Sequence, residues 1–138
     1  MASIKVFGAV FDPEGRIFLV HRRDGDQIWT SPGGKLDAGE SPERGLERLT
    51  KLETGLIVQP SKLVGIYSAT FKDHIFIFLY AKALNMDVLK SWKPNEYLSE
   101  IGFFAEDQLP EPMYERTRIR IHDAFTSVHG TVRELEDV

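Results

Sequence analysis

Apolar residues along the chain fall into short blocks, each closed by Gly, Pro or Asp. Residues 4–11 form a β-rich apolar block, and residues 16–21 form a second. Between them Asp12-Pro13-Glu14-Gly15 has the chemistry of a tight turn, with Pro setting φ at its second position and Gly accepting a positive φ. The two blocks therefore predict a β-hairpin. A loop follows at Asp24-Gly25-Asp26, then a stretch rich in Pro and Gly over residues 29–39. Ser41-Pro42-Glu43 opens a helix, with Ser as N-cap, Pro in the first turn and an acid near the positive end of the dipole. That helix is expected to run to Thr54 and stop at Gly55.

Residues 62–70 and 74–83 read as strands. The second is almost wholly apolar, as a central strand buried on both faces would be. Residues 100–104 give another short strand. Tyr114, Ile121, Phe125 and Val128 share one helical face, which predicts a second helix over residues 111–127. Strands, helix, strands, helix make an α+β fold with helices packed on a sheet. No repeat or linker interrupts the chain, so residues 1–138 read as a single domain.

Composition narrows the function. At 42% hydrophobic and 28% charged, the chain has ordinary globular usage. Its net charge of −4 leaves no basic excess for a nucleic-acid backbone, although a small anion needs only a few local cations. The absence of cysteine excludes disulfides, thiolate metal sites and cysteine nucleophiles. No apolar run approaches the roughly 20 residues of a membrane span, so the expectation is a cytoplasmic protein with no membrane partner.

The chemistry concentrates in residues 33–56, GGKLDAGESPERGLERLTKLETGL. A glycine-rich loop that feeds a helix N-terminus offers backbone N–H groups and a dipole to phosphate. On the helical wheel Arg48, Leu49, Leu52 and Glu53 fall in one broad sector, and Glu53 is its one carboxylate. Arg48 lies about 140° from Glu53 on that wheel, so its partner is expected in the adjoining loop.

The spacing Gly34, Glu40, Arg48, Glu53, Gly55, Leu56 resembles the Nudix box, G-x5-E-x7-R-E-U-x-E-E-x-G-U with U aliphatic. Trp29-Thr30-Ser31-Pro32-Gly33-Gly34 resembles the W-x-x-P-G-G that leads into it, and the likeness covers nearly the whole chain. It implies an α/β/α sandwich with a mixed central sheet and hydrolysis of a nucleoside diphosphate linked to another moiety. Two of the family's three helix glutamates are replaced here, by Leu49 and Leu52, and its aliphatic position is Thr50. The form Arg48-Leu49-Thr50-Lys51-Leu52-Glu53-Thr54-Gly55 is similar to the single-glutamate box of the GDP-mannose mannosyl hydrolases. That branch binds one Mg²⁺ and attacks sugar C1 rather than phosphorus. Phe7, Tyr97 and Leu98 depart from it, standing where it has an aspartate and a Gln-His pair.

What the resemblance implies, residue by residue, is Mg²⁺ or Mn²⁺ held by Glu53, the Gly34 carbonyl and Glu96. Glu53, Arg48 and Glu96 make the catalytic set, with Glu96 as base and His74 in reserve. Arg22, Arg23, Lys35 and His74 contact a small nucleotide substrate; members of the family are often homodimers, and the sequence itself gives no oligomeric state. Each residue also has a plainer reading. Leu49 and Leu52, three apart, are ordinary core residues; Arg48 and Glu40 are structural; Trp29 and Phe71 are core aromatics; residues 133–137 are a solvated tail. If the leucines are core, the alternative is a binding or regulatory domain that kept the fold and lost turnover.

Overall fold

The local signals around residue 41 act as written. In the computed structural model, which describes residues 2–136, the Ser41 hydroxyl accepts from the Arg44 N–H at 3.2 Å. Helix α1 (Pro42–Thr54) then runs to Gly55, whose φ of 79° lets its N–H close on the Lys51 carbonyl. The strands are β1 (Ser3–Val10), β2 (Ile17–Arg22), β3 (Trp29–Thr30), β4 (Gly33–Lys35), β5 (Val58–Ala69), β6 (His74–Ala83), β7 (Leu98–Phe104) and β8 (Thr131–Glu134); α2 is Glu115–Phe125. Five strands make a mixed sheet in the order β4-β1-β6-β5-β8, with β1–β6 and β5–β8 parallel. The others, β3-β2-β7, form an antiparallel sheet beside it.

Alternation along β1 explains the layering. Val6 and Val10 join Leu46 and Leu56 beneath α1, while Phe7 and Ala9 join Phe76, Phe78 and Ile121 beneath α2. Both faces of the larger sheet are thus covered, and β6 is the central strand that its apolar run implied.

Two expectations change. The turn at 12–15 forms, with the Asp12 carboxylate accepting the Glu14 and Arg16 N–H groups at 3.0 and 2.9 Å. Its flanking strands nevertheless go to different sheets and meet only at a Phe11–Ile17 bridge. Both edges of β1 are already taken, by β4 and β6, so β2 turns away and pairs with β7. The tail is not simply solvated either. β8 adds to β5, Arg133 grips Asp123 through two bonds of 2.8 and 2.9 Å, and Leu135 is buried; Asp137 lies outside the described residues.

Candidate functional site

The glycine-rich loop is built by packing. Gly33 has φ 139°, and a Cβ there would collide with the Val6 carbonyl of β1. A Cβ at Gly45 would run into Leu36, which lets α1 lie close on the loop. Arg48 closes the loop as its position on the wheel required. Its Nε and Nη2 donate to both Glu40 oxygens at 2.7 and 2.9 Å, and Nη2 also reaches the Lys35 carbonyl at 3.4 Å. The Asp37 N–H adds a third bond to Glu40. The Arg48 hydrogen bonds, then that N–H, hold the Glu40 carboxyl down at about 2.

Glu53 sits differently. It shares the buried face of α1 with Leu46 and Thr50, and its Oε1 accepts from Arg22 Nη1 at 2.7 Å. The Arg22 Nε donates in turn to Asp24 at 3.0 Å, so one guanidinium spans two carboxylates. Burial pushes the Glu53 carboxyl above its ordinary range, against the pull of Arg22. The Glu53 carbonyl accepts from Asn95 Nδ2 at 2.8 Å, which ties the loop before β7 to the end of α1. Arg23 supports the same loop, through bonds to the Asn95 and Tyr97 carbonyls at 2.6 and 3.0 Å. Glu96, between them, is exposed and faces Tyr97, whose hydroxyl it pushes up.

The structure therefore gathers Arg22, Glu53, Arg23 and the Glu96 loop, and sets the Arg48–Glu40 clasp apart on the Gly loop. Lys35 is exposed opposite Lys5, and Gly34 pairs with Val6 while its Cα faces Leu49. Leu52 is 53% exposed and Leu49 half-buried, so neither is a core residue. Trp29 is buried and stacks on His21; Phe71 is exposed. His74 opens β6 opposite Ser3, where burial, then Lys5 and Lys72, lower its pKa and keep it neutral at pH 7.

Sequence reasoning passed over Asp24, Lys5, Arg116 and Arg120. Asp24 had a readable signal, two residues past the strand end that carries Arg22. The α2 arginines had only their i, i+4 spacing. Arg120 is buried, donates to Thr30 Oγ1 at 2.9 Å and lies 4.3 Å over the Phe7 ring. Burial lowers its pKa to about 10.

These side chains do not form a cage for a resident Mg²⁺ or Mn²⁺. Among the described residues no three His, Asp or Glu groups are clustered to hold a metal. Glu53, which alone remains of the three helix glutamates of the box, already has a guanidinium on its oxygen.

The sequence profile of the NUDIX domain matches residues 1–125. The chain belongs to the NUDIX domain family. It is a Nudix-type hydrolase, of the kind that acts on a nucleoside diphosphate linked to another moiety and generally works with a divalent cation. It is 28% identical to a MutT-like protein of Streptomyces ambofaciens over 95% of this chain and 82% of that one. It is 27% identical to an ADP-ribose pyrophosphatase of Methanocaldococcus jannaschii over 80% of this chain and 66% of that one. A crystal structure of an ADP-ribose pyrophosphatase from Streptococcus suis superposes with a TM-score of 0.78 at 23% identity, covering 98% of this chain and all of the other. No helix among the described residues is long and apolar enough to cross a membrane.

Proposed function

We propose that this hydrolase cleaves a nucleotide sugar or a similar nucleoside diphosphate conjugate, with the diphosphate charge carried mainly by arginine and lysine. The observation that carries the reading is the Arg22 guanidinium held between Glu53 and Asp24 at 2.7 and 3.0 Å. A guanidinium fixed on two sides keeps one geometry, so its remaining N–H groups can meet a leaving phosphate oxygen without reorganising. Lys35, exposed at the end of the Gly loop, and Arg23 add charge from either side. Glu96 is the exposed carboxylate that takes a proton from water, and neutral His74 is the reserve. Glu53 acts through Arg22, holding it in place.

A divalent cation enters this reading as the companion of the substrate, whose phosphate oxygens supply ligands that the chain lacks; Mg²⁺ accepts one carboxylate completed by phosphate and water. The single-glutamate box favours attack at the sugar carbon over attack at phosphorus. The test is hydrolysis of nucleotide sugars and ADP-ribose in ¹⁸O-water, with and without Mg²⁺, products read by mass spectrometry. Label in the free sugar supports carbon attack. Label in phosphate moves the reading to phosphorus, and no turnover of any conjugate by folded protein removes it.

A further inference from the structure

Positive charge collects at one place in a chain whose net charge is −4. On the α2 face of the larger sheet, Ser3 pairs with His74 and Lys5 with Phe76, so His74, Lys5 and Phe76 project to the same side. Helix α2 lays Arg116 and Arg120, one turn apart, over that side. Aromatic rings join the lysines, the arginines and the His74 imidazole into a strip. The Arg116 guanidinium carbon lies 3.8 Å from the Tyr114 ring centroid, and Lys72 Nζ lies 5.6 Å from the same ring. The Arg120 guanidinium lies 4.3 Å from the Phe7 centroid and 5.5 Å from that of Phe76, and the His74 ring is 5.8 Å from Phe76. Burial deepens along the strip: Lys72 is exposed, Lys5 and His74 are half-buried, and Arg116 and Arg120 are buried.

Arg120 is the telling member. It is 3% exposed, its Nε has no hydrogen-bond partner, and among the described residues no carboxylate bonds its guanidinium. A buried charge is ordinarily paired, because removing it from water costs several kcal/mol. Stacking on Phe7 offsets only about 0.5–2 kcal/mol. The crowding is felt by its neighbours: burial and then the charge of Lys72, with Arg120 and Arg116 behind it, lower Lys5 against the pull of Asp24, while Asp73 opposes the lowering of His74.

We infer that Lys5, Lys72, His74, Arg116 and Arg120 form an anion site that takes a phosphate on the group joined to the nucleoside diphosphate. The loop at 24–26 places the site beside the hydrolytic centre, since the Asp24 carboxylate bonds Arg22 and the Asp26 carboxylate accepts from the Tyr114 hydroxyl. The inference rests on the proposed reaction for the identity of the ligand, though not for the existence of the site. The substrate class it selects is a nucleotide conjugate whose linked sugar carries its own phosphate. The open cations collect the anion and the buried arginines supply paired donors.

The first test needs no reaction. Inorganic phosphate and ribose 5-phosphate are titrated into metal-free protein by calorimetry, with EDTA present. Saturable binding is expected, weakened about tenfold or more by Lys5→Gln and by Arg116→Gln, the loss of a charged hydrogen bond. Lys5 is half-exposed, so that variant folds even if the Arg116 variant does not. No saturable binding, or binding untouched by Lys5→Gln, overturns the site. The second test compares kcat/KM for a conjugate with and without the extra phosphate; preference for the phosphorylated one should collapse in Lys5→Gln. An unchanged preference overturns the assignment to the linked group. Saturable phosphate binding that Lys5→Gln abolishes, in a protein that hydrolyses no conjugate, leaves the site standing and removes the reaction instead.

Discussion

Two carboxylate–guanidinium pairs come from the same box and end in opposite states. Glu40 meets Arg48 with two bonds near the surface, their side chains 14% and 37% exposed. Glu53 meets Arg22 with one bond in a tighter place, 6% and 19% exposed. The first carboxyl is held at about 2, and the second is pushed up. An opposite charge at 2.7 Å is common to both, so burial decides the sign. Glu40 is a clasp that fixes the loop ahead of α1. Glu53 places a carboxyl where charge is costly, as a functional group does and a structural one need not.

The comparison breaks first at Glu53. Glu53→Gln should lower hydrolysis by about 10²–10⁴-fold, the scale of a lost ionisable partner in a site, without lowering the melting temperature. Activity retained in that variant would make the two pairs equivalent. Arg22→Met leaves Glu53 buried alone and should cost about 1–3 kcal/mol in denaturant unfolding, reduced by the water that reaches Arg22. Its pH dependence has a definite sign: a buried carboxyl with raised pKa destabilises only when ionised. The deficit should therefore grow as pH rises through that pKa and shrink in acid.

The Glu40→Gln deficit should also shrink in acid, but over a lower pH window. The Glu40 pKa is depressed, so its stabilisation is complete above the ordinary 4.5 and fades as pH falls towards about 2. Melting curves of the variant and the parent should converge over that window. The smallest effect on stability, within about 0.5 kcal/mol, is expected from Leu49→Glu combined with Leu52→Glu, since neither side chain is core. With Glu53 these create a group of three carboxylates, and Mn²⁺ binding followed by electron spin resonance should tighten. Unchanged Mn²⁺ affinity would show that those positions do not face Glu53.

Legibility followed the range of the interactions. Helix α1 was readable to the residue because its cap, first proline and terminal glycine act within a turn or two. For Arg48 the wheel excluded Glu53 and pointed to the adjoining loop, but it did not single out Glu40 as the partner. The hairpin was misread because the turn is local while the pairing of β1 is not: β6 lies more than sixty residues away and takes the edge that β2 would need. β8 escaped notice because β5 supplies its pairing. At the site, the Glu53–Arg22 contact joins a helix to a strand that sequence spacing does not relate. The α2 arginines gave no signal because only the packed sheet beneath them shows that they are buried.

The two strands at the rims of the larger sheet have a further consequence. β4 spans three residues and β8 four, while β1 and β5 behind them span eight and twelve. Each rim strand carries charge, Lys35 on one and Arg133 with Glu134 on the other. Long apolar strands are templates on which other chains can stack, and short charged borders deny them an edge. Arg133 serves here beyond its own bond, because its grip on Asp123 keeps β8 against β5. Loosening that corner would uncover the flank of β5, and self-association into fibrous aggregate would be the cost.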